Sequence, residues 1–327
     1  MRRHMISSGA IMDFFNTTRG QALEAVFESL KAREETEAQW QLVESLAQKP
    51  SAALRVGAMQ ALLSVANVDV MDRSWNAFVA LCQGEKDVLR CPYAIQFLNW
   101  AIFLRSNDAL PFVFELMDDE YEEAAQMGAE LACAFALRPD AIDTNLLTKL
   151  LNGPKAWRCA VAEVASRWLM ATPQPALQVS LECQRLLEIC FDDADDGVRR
   201  EAACFSADLR PEHFQTLKVL IEYFIVSPAY KDGDHWLHEF FLNHGDWEPQ
   251  WTLEQIKSIL SRPDGEMGSG LGGDELARCV LHLYTLPEMV EDNTFRSQCI
   301  DAFGELLERN NSDAQKALSD WDDGRFF

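Results

Sequence analysis

The chain has 327 residues, 48% of them hydrophobic, which is ample for a large buried core, and 29 basic against 52 acidic residues give a formal charge of −23. That surplus repels the phosphate backbone of nucleic acids, and no uncharged apolar run of about 18 residues is available to cross a membrane. The nine cysteines are scattered without a Cys-x-x-Cys pair, in the manner of small buried hydrophobes in a reducing cytoplasm, which is the expected location.

Residues 1–12 read as an N-terminal extension: the basic start is followed by a short apolar stretch that meets Asp13, unlike a secretory signal. Apolar spacing then predicts helices over 20–33, 36–48, 52–66 and 72–83, with Pro50 stopping one helix and Ser51 capping the next. Pro92 opens a helix over 92–105, and 109–117, 121–137, 141–151, 155–171 and 175–191 follow, separated by turns at Pro139, Gly153-Pro154 and Pro173-Gln-Pro175. Helices 197–208 and 212–226 complete a regular array covering 13–226; in each, apolar residues recur at three and four, as in Val161, Val164, Ala165 and Trp168. Residues 227–327 read as irregular repeats and a cap: a loop over 227–234, a short aromatic helix over 235–243, a second loop over 245–249, then helices 252–262, 274–286, 293–309 and 311–321. Five glycines and a proline between Arg262 and Gly273 predict a surface loop. No strand is predicted, so the fold class is all-α.

One phrase returns where these helices open: an Arg followed by small apolar residues, at Arg19-Gly-Gln-Ala22, Arg55-Val-Gly-Ala58, Arg158-Cys-Ala-Val161 and Arg199-Arg-Glu-Ala202, with a looser copy at Arg90. The steps from 19 to 55 and from 55 to 90 are 36 and 35, and from 158 to 199 the step is 41. Asp13, Asn152 and Asp193 each stand six residues before such an Arg. Small residues let neighbouring helices come close, while the Asp or Asn can accept hydrogen bonds from its own Arg or from that of the next repeat. Asp13, Arg19, Arg55, Asn152, Arg158, Asp193 and Arg199 are therefore the expected structural ladder. The spacing and the Asp-to-Arg step resemble HEAT repeats, which implies an α-solenoid of about eight helix pairs.

Motifs that would carry chemistry fail one by one. The segment 265–273 is Gly-rich, but Asp274 and Glu275 follow where a phosphate-binding loop needs Lys and Ser or Thr, so carboxylates would face the phosphate. His235 and His238, with Glu239 and His244, do not have the spacing of a zinc protease helix, and partly exposed histidines in an aromatic cluster are the plainer reading. A calcium loop from Asp192 fails because Ala194 and Ala203 occupy ligand positions. There is no Gly-x-Ser-x-Gly elbow and no Cys with an evident His partner. No catalytic residue, metal or cofactor is expected.

Two clusters remain as candidate partner-binding residues. Asp118, Asp119, Glu120, Glu122 and Glu123 form an acidic run that either serves a helix N-terminus and solubility or docks a basic partner. Trp236, Trp247 and Trp251 lie beside loops and are either buried under the irregular repeat or part of an aromatic contact surface.

The segments Asp193–Ala203, Leu220–Pro228, Leu276–Tyr284 and Phe295–Asp301 together resemble the closing HEAT-like array of large bacterial NTPases, including STAND-type antiphage defence proteins. In that family the array senses or scaffolds, while a separate P-loop module performs the chemistry; this chain carries no such module. The resemblance implies a bacterial sensor or scaffold array; the expected function is non-enzymatic binding of another protein, with the acidic patches steering basic regions of that partner. The alternatives are a HEAT-like DNA glycosylase, which the acidic charge disfavours, and a structural subunit of a homo-oligomer. Neither nucleic acid nor membrane is an expected partner.

Overall fold

The computed structural model describes residues 18–49, 51–263, 273–309 and 311–322, and among them the regular structure is entirely helical. The chain is all-α. Its contacts separate two compact units, one comprising residues up to Arg138 together with Asp143–Ala160, the other Pro139–Ile142 together with the chain from Val161 onward. None of the described helices is long and apolar enough to cross a membrane.

The first unit contains α1 (Thr18–Ala32), α2 (Thr36–Ala47), α3 (Ala52–Val65), α4 (Met71–Cys82), α5 (Lys86–Leu89), α6 (Pro92–Leu104), α7 (Ser106–Met117), α8 (Glu122–Ala136), α9 (Thr144–Leu151) and the start of α10 (Lys155–Leu169). Helices begin where the sequence supplies an acceptor for their free N–H groups: Ser51 Oγ takes the amide of Leu54, and Asp143 Oδ1 those of Asn145 and Leu146. Packing runs from each helix to its successor and to the next but one: α1 lies on α2 and α3, α2 on α3 and α4, and α6 on α7 and α8. Aromatic rings fill the middle of this unit, where Phe78 stacks on Phe97 at 4.7 Å and Trp75 on Phe78 at 5.3 Å. Helices α7 and α8 approach most closely at Gly128, where a Cβ would stand 2.6 Å from the Met117 nitrogen and 2.8 Å from Leu116 Cβ.

The second unit contains the rest of α10, then α11 (Leu177–Phe191), α12 (Asp196–Ala203), α13 (Phe214–Val226), α14 (Tyr230–His244), α15 (Pro249–Leu260), α16 (Gly273–Thr285), α17 (Asn293–Arg309) and α18 (Asn311–Asp322). Next-but-one packing recurs here. One row holds α12, α14, α16 and α18, each in contact with the next; the other holds α11, α13, α15 and α17. Phe191, Phe205 and Phe224 meet between the rows, with ring centroids 5.1–5.5 Å apart.

Four local expectations are revised. The stretch 227–234 is not a loop throughout, because α14 begins at Tyr230 and kinks at Gly233, where a Cβ would lie 2.5 Å from Ala203 Cβ. Full burial of Tyr230 and this close approach fix the helical turns on either side of the kink, and Gly233 itself stays non-helical. The second loop contracts to a 3-10 turn over Gly245–Trp247, and the helix predicted over 197–208 is α only to Ala203 before a 3-10 turn over Cys204–Asp208. The short α5 has no counterpart among the predicted helices. The glycine-rich stretch 264–272 lies outside the described residues.

Candidate functional site

The arginines of the repeat phrase are built into the rows. Arg55 donates from Nε to the Lys49 carbonyl at 2.7 Å and from Nη1 to the Gln83 carbonyl at 2.8 Å. Arg90, only 6% exposed, forms a two-point pair with Asp119, each contact 2.9 Å, while lying 4.3 Å over the Tyr121 ring. Burial opposes the Arg90 charge, but the Asp119 hydrogen bond and charge outweigh it and raise its pKa. Arg199 donates from Nε to Asp232 Oδ2 at 2.7 Å and from Nη1 to the carbonyls of Asp193 and Ala194 at 2.8 and 3.2 Å. Arg278 links α16 to α18 through Asp320 at 2.8 Å. The contacts to Gln83, Asp119, Asp232 and Asp320 reach a later segment, whereas those to Lys49, Asp193 and Ala194 close the turn before the arginine's own helix.

The residue six before the arginine enters in a way the sequence does not state. Asp193 offers Arg199 its main-chain carbonyl, and its Oδ1 takes the Asp195 amide at 2.8 Å. Asn152 donates from Nδ2 to the Thr148 carbonyl at 2.8 Å, whereas Arg158 donates to the Gly153 carbonyl at 2.8 Å. The carboxylates that meet Arg90 and Arg199 come from 29 and 33 residues downstream. Asp13 and the side chain of Arg19 lie outside the described residues.

The acidic run divides by role. Asp119 is the Arg90 partner, with its side chain 4% exposed, and its Oδ1 also takes the Tyr121 amide at 2.9 Å. Asp118, Glu120, Glu122 and Glu123 are exposed, Glu122 and Glu123 in the first turn of α8, where negative charge suits the helix dipole. Each of the three tryptophans has its own surroundings. Trp236 is half-buried beside His235 and the Gly233 kink, and Trp247 is 56% exposed. Trp251 packs edge-on against Phe214 at 4.8 Å and donates from Nε1 to Glu222 at 2.8 Å.

Among the described residues no group of three His, Cys, Asp or Glu side chains is arranged to hold a metal ion. The histidines of α14 have local partners: His238 Nε2 lies 2.5 Å from the buried Tyr230 hydroxyl, and His235 sits against Trp236. Burial raises the pKa of Tyr230 and that of the nearby Asp234 carboxyl. The shallow clefts beside Arg105 and Arg73 are open to solvent, and both arginines are already paired, with Asp108 at 2.9 Å and with Glu37 at 2.8 Å.

Sequence reasoning missed an exposed apolar surface in the second unit. On the neighbouring helices α11 and α13, Leu177, Leu181, Val219 and Val226 are 75%, 56%, 68% and 64% exposed. On α13, Val219 and Val226 share an outward arc with Gln215, Thr216 and Glu222, opposite the buried face of Leu217, Leu220, Ile221 and Phe224, a signal that the sequence carries. Comparison with protein-family models gives no match, and comparison with curated proteins gives none either.

Proposed function

We propose that the chain is a non-enzymatic α-solenoid of HEAT-like pairs that binds another protein and serves as a scaffold or sensor. The observation that carries this reading is the row architecture: in the second unit alternate helices pack in two rows, in the first many helices pack on their successor and next-but-one, and arginine contacts fix one element to a later one. Such an arrangement spends its polar side chains on holding helices in register and presents preorganised helical faces for shape recognition. The exposed acids at 118–123 add a field that steers a basic surface toward α8. The resemblance of the C-terminal segments to the arrays of STAND-type NTPases supports a binding role in bacterial antiphage defence, within the cytoplasm, with any nucleotide chemistry residing in a partner.

Affinity capture from the native host with mass spectrometry tests this, comparing the wild type with a Glu120→Lys, Glu122→Lys, Glu123→Lys variant. The expected result is one dominant protein that the variant retains poorly. Recovery of the chain alone as a defined oligomer would instead establish the structural-subunit alternative.

A further inference from the structure

The exposed apolar residues of α13 form a coherent surface beside the end of α11. Both helices belong to one row and pack on each other, and Tyr223 in α13 donates its hydroxyl to Asp192 just after α11 at 2.5 Å. That contact holds the two helices at a fixed offset. Val219, Tyr223 and Val226 recur at four and three along α13, so they form one stripe, beside the Asp192 end of α11 rather than the end that carries Leu177 and Leu181. All three are at least 36% exposed. A solvated stripe of this kind costs solubility unless it is covered in use.

The charges around it decide what would cover it. Glu188 precedes the end of α11, Asp192 follows it, and Glu222 sits within the stripe of α13. The two cations on these helices are already engaged: Arg185 with Glu182 at 2.6 Å, and Lys218 with Glu248. The border is therefore net acidic. A second copy of a chain carrying −23 would bring acids against acids, whereas a cationic segment would gain at Glu188, Asp192 and Glu222.

We infer that the α11–α13 face is the docking site for an amphipathic helix of a partner protein, its apolar side laid along Val219 and Val226 and its Lys or Arg residues facing Glu188, Asp192 and Glu222. This rests on the protein-binding reading above and names the surface and the chemistry of the partner. An i, i+4, i+7 set of apolar anchors on the incoming helix would match the stripe, in the manner of helix-in-groove recognition.

The test uses the full chain and three fluorescent peptides: a Leu/Lys peptide with amphipathic helical spacing, a scrambled peptide of the same composition, and a Leu/Glu counterpart. Anisotropy titrations are run against the wild type, a Val219→Ser, Val226→Ser variant, and a Val68→Ser control in the first unit, where Val68 is 66% exposed. The ordered Leu/Lys peptide is expected to bind about tenfold tighter than either other peptide, and the double variant, but not the control, to lose about tenfold. Equal binding of ordered and scrambled peptides, or an unchanged double variant, would leave only general charge attraction and overturn the inference. Sedimentation showing a wild-type dimer that the double variant abolishes would overturn it in favour of a second copy. If the peptides fail while a captured host protein depends on Glu120, Glu122 and Glu123, the protein-binding reading stands and this surface does not.

Discussion

Arg199 and Asp232 are 33 residues apart in sequence and joined at 2.7 Å, with side chains only 11% and 12% exposed. The pair sets α12 against the first turn of α14 beside the Gly233–Ala203 approach, so charge pairing and close packing reinforce each other at one point. Arg199→Ala leaves Asp232 and two carbonyls without their donor and is expected to cost about 3 kcal/mol. A urea midpoint within error of the wild type would show that the pair contributes nothing. Arg199→Lys keeps the charge but not the several directed donors, and it should recover only part of the loss.

Two glycines are expected to respond in opposite directions. Gly128→Ala pushes a methyl group onto the Met117 nitrogen and should destabilise the first unit by about 1–3 kcal/mol through overpacking. Gly304 lies inside α17 with nothing within 4 Å of where an alanine methyl would stand, so Gly304→Ala should stabilise by about 0.5–1 kcal/mol. Thermal melts of the two variants give the signs directly.

Acid sensitivity should trace in part to His213. Its ring is 1% exposed, both nitrogens lack a hydrogen-bond partner, and burial lowers its pKa from the ordinary 6.5. The unfolded chain therefore binds a proton that the folded site resists, so this contribution is complete above pH 6.5 and is lost as pH falls below it. A His213→Phe variant should show a smaller drop in Tm between neutral pH and about pH 5.5 than the wild type. An equal drop in both proteins would clear His213 of this role.

Thiol chemistry should be muted in the native state. Burial pushes Cys91 and Cys183 up to about 12 and Cys204 and Cys299 up to about 11, and eight of the nine cysteines are buried. Cys204 is the half-exposed one, and its Sγ contacts the Arg200 carbonyl at 3.3 Å. Titration with an aromatic disulfide reagent at mildly alkaline pH should modify Cys204 alone, and slowly, with all nine thiols released in denaturant. Rapid native modification of several thiols would contradict the packing.

Duplex DNA is expected to bind more weakly than about micromolar at physiological salt, since −23 net charge opposes counterion release. Tighter binding by anisotropy would revive the glycosylase alternative.

Helix positions were legible where apolar spacing was strong and the ends were marked: 293–309 coincides with α17, and of the three-and-four pattern Val161, Val164 and Ala165 are buried while Trp168 is half-buried. What stayed hidden depends on partners far along the chain. Asp232 and Gly233 signal a turn locally, and Gly233 does break the helical backbone, while Arg199 and the face of Ala203 hold the residues on either side in place. Asp193 stands out in the sequence for its carboxylate, yet it serves Arg199 through its main chain, a role any residue type could fill and no side-chain pattern can announce. Val219 and Val226 look like core by residue type alone, although their place on the arc of Gln215 and Glu222 already marks them as outward-facing.

The forward reach of the arginines also sets an order of events on the ribosome. Arg199 emerges 33 residues before Asp232, so α12 must wait for most of the following repeat before its charge pair can close. Arg90 waits 29 residues for Asp119 in the same way. Arg262 does the reverse, donating to the carbonyls of Ile225 and Ser227 that were synthesised before it, so it can latch as soon as it appears. A nascent chain therefore carries one unfinished repeat at its growing end, and a truncation between Val226 and Tyr230 would make that unfinished state permanent for Arg199.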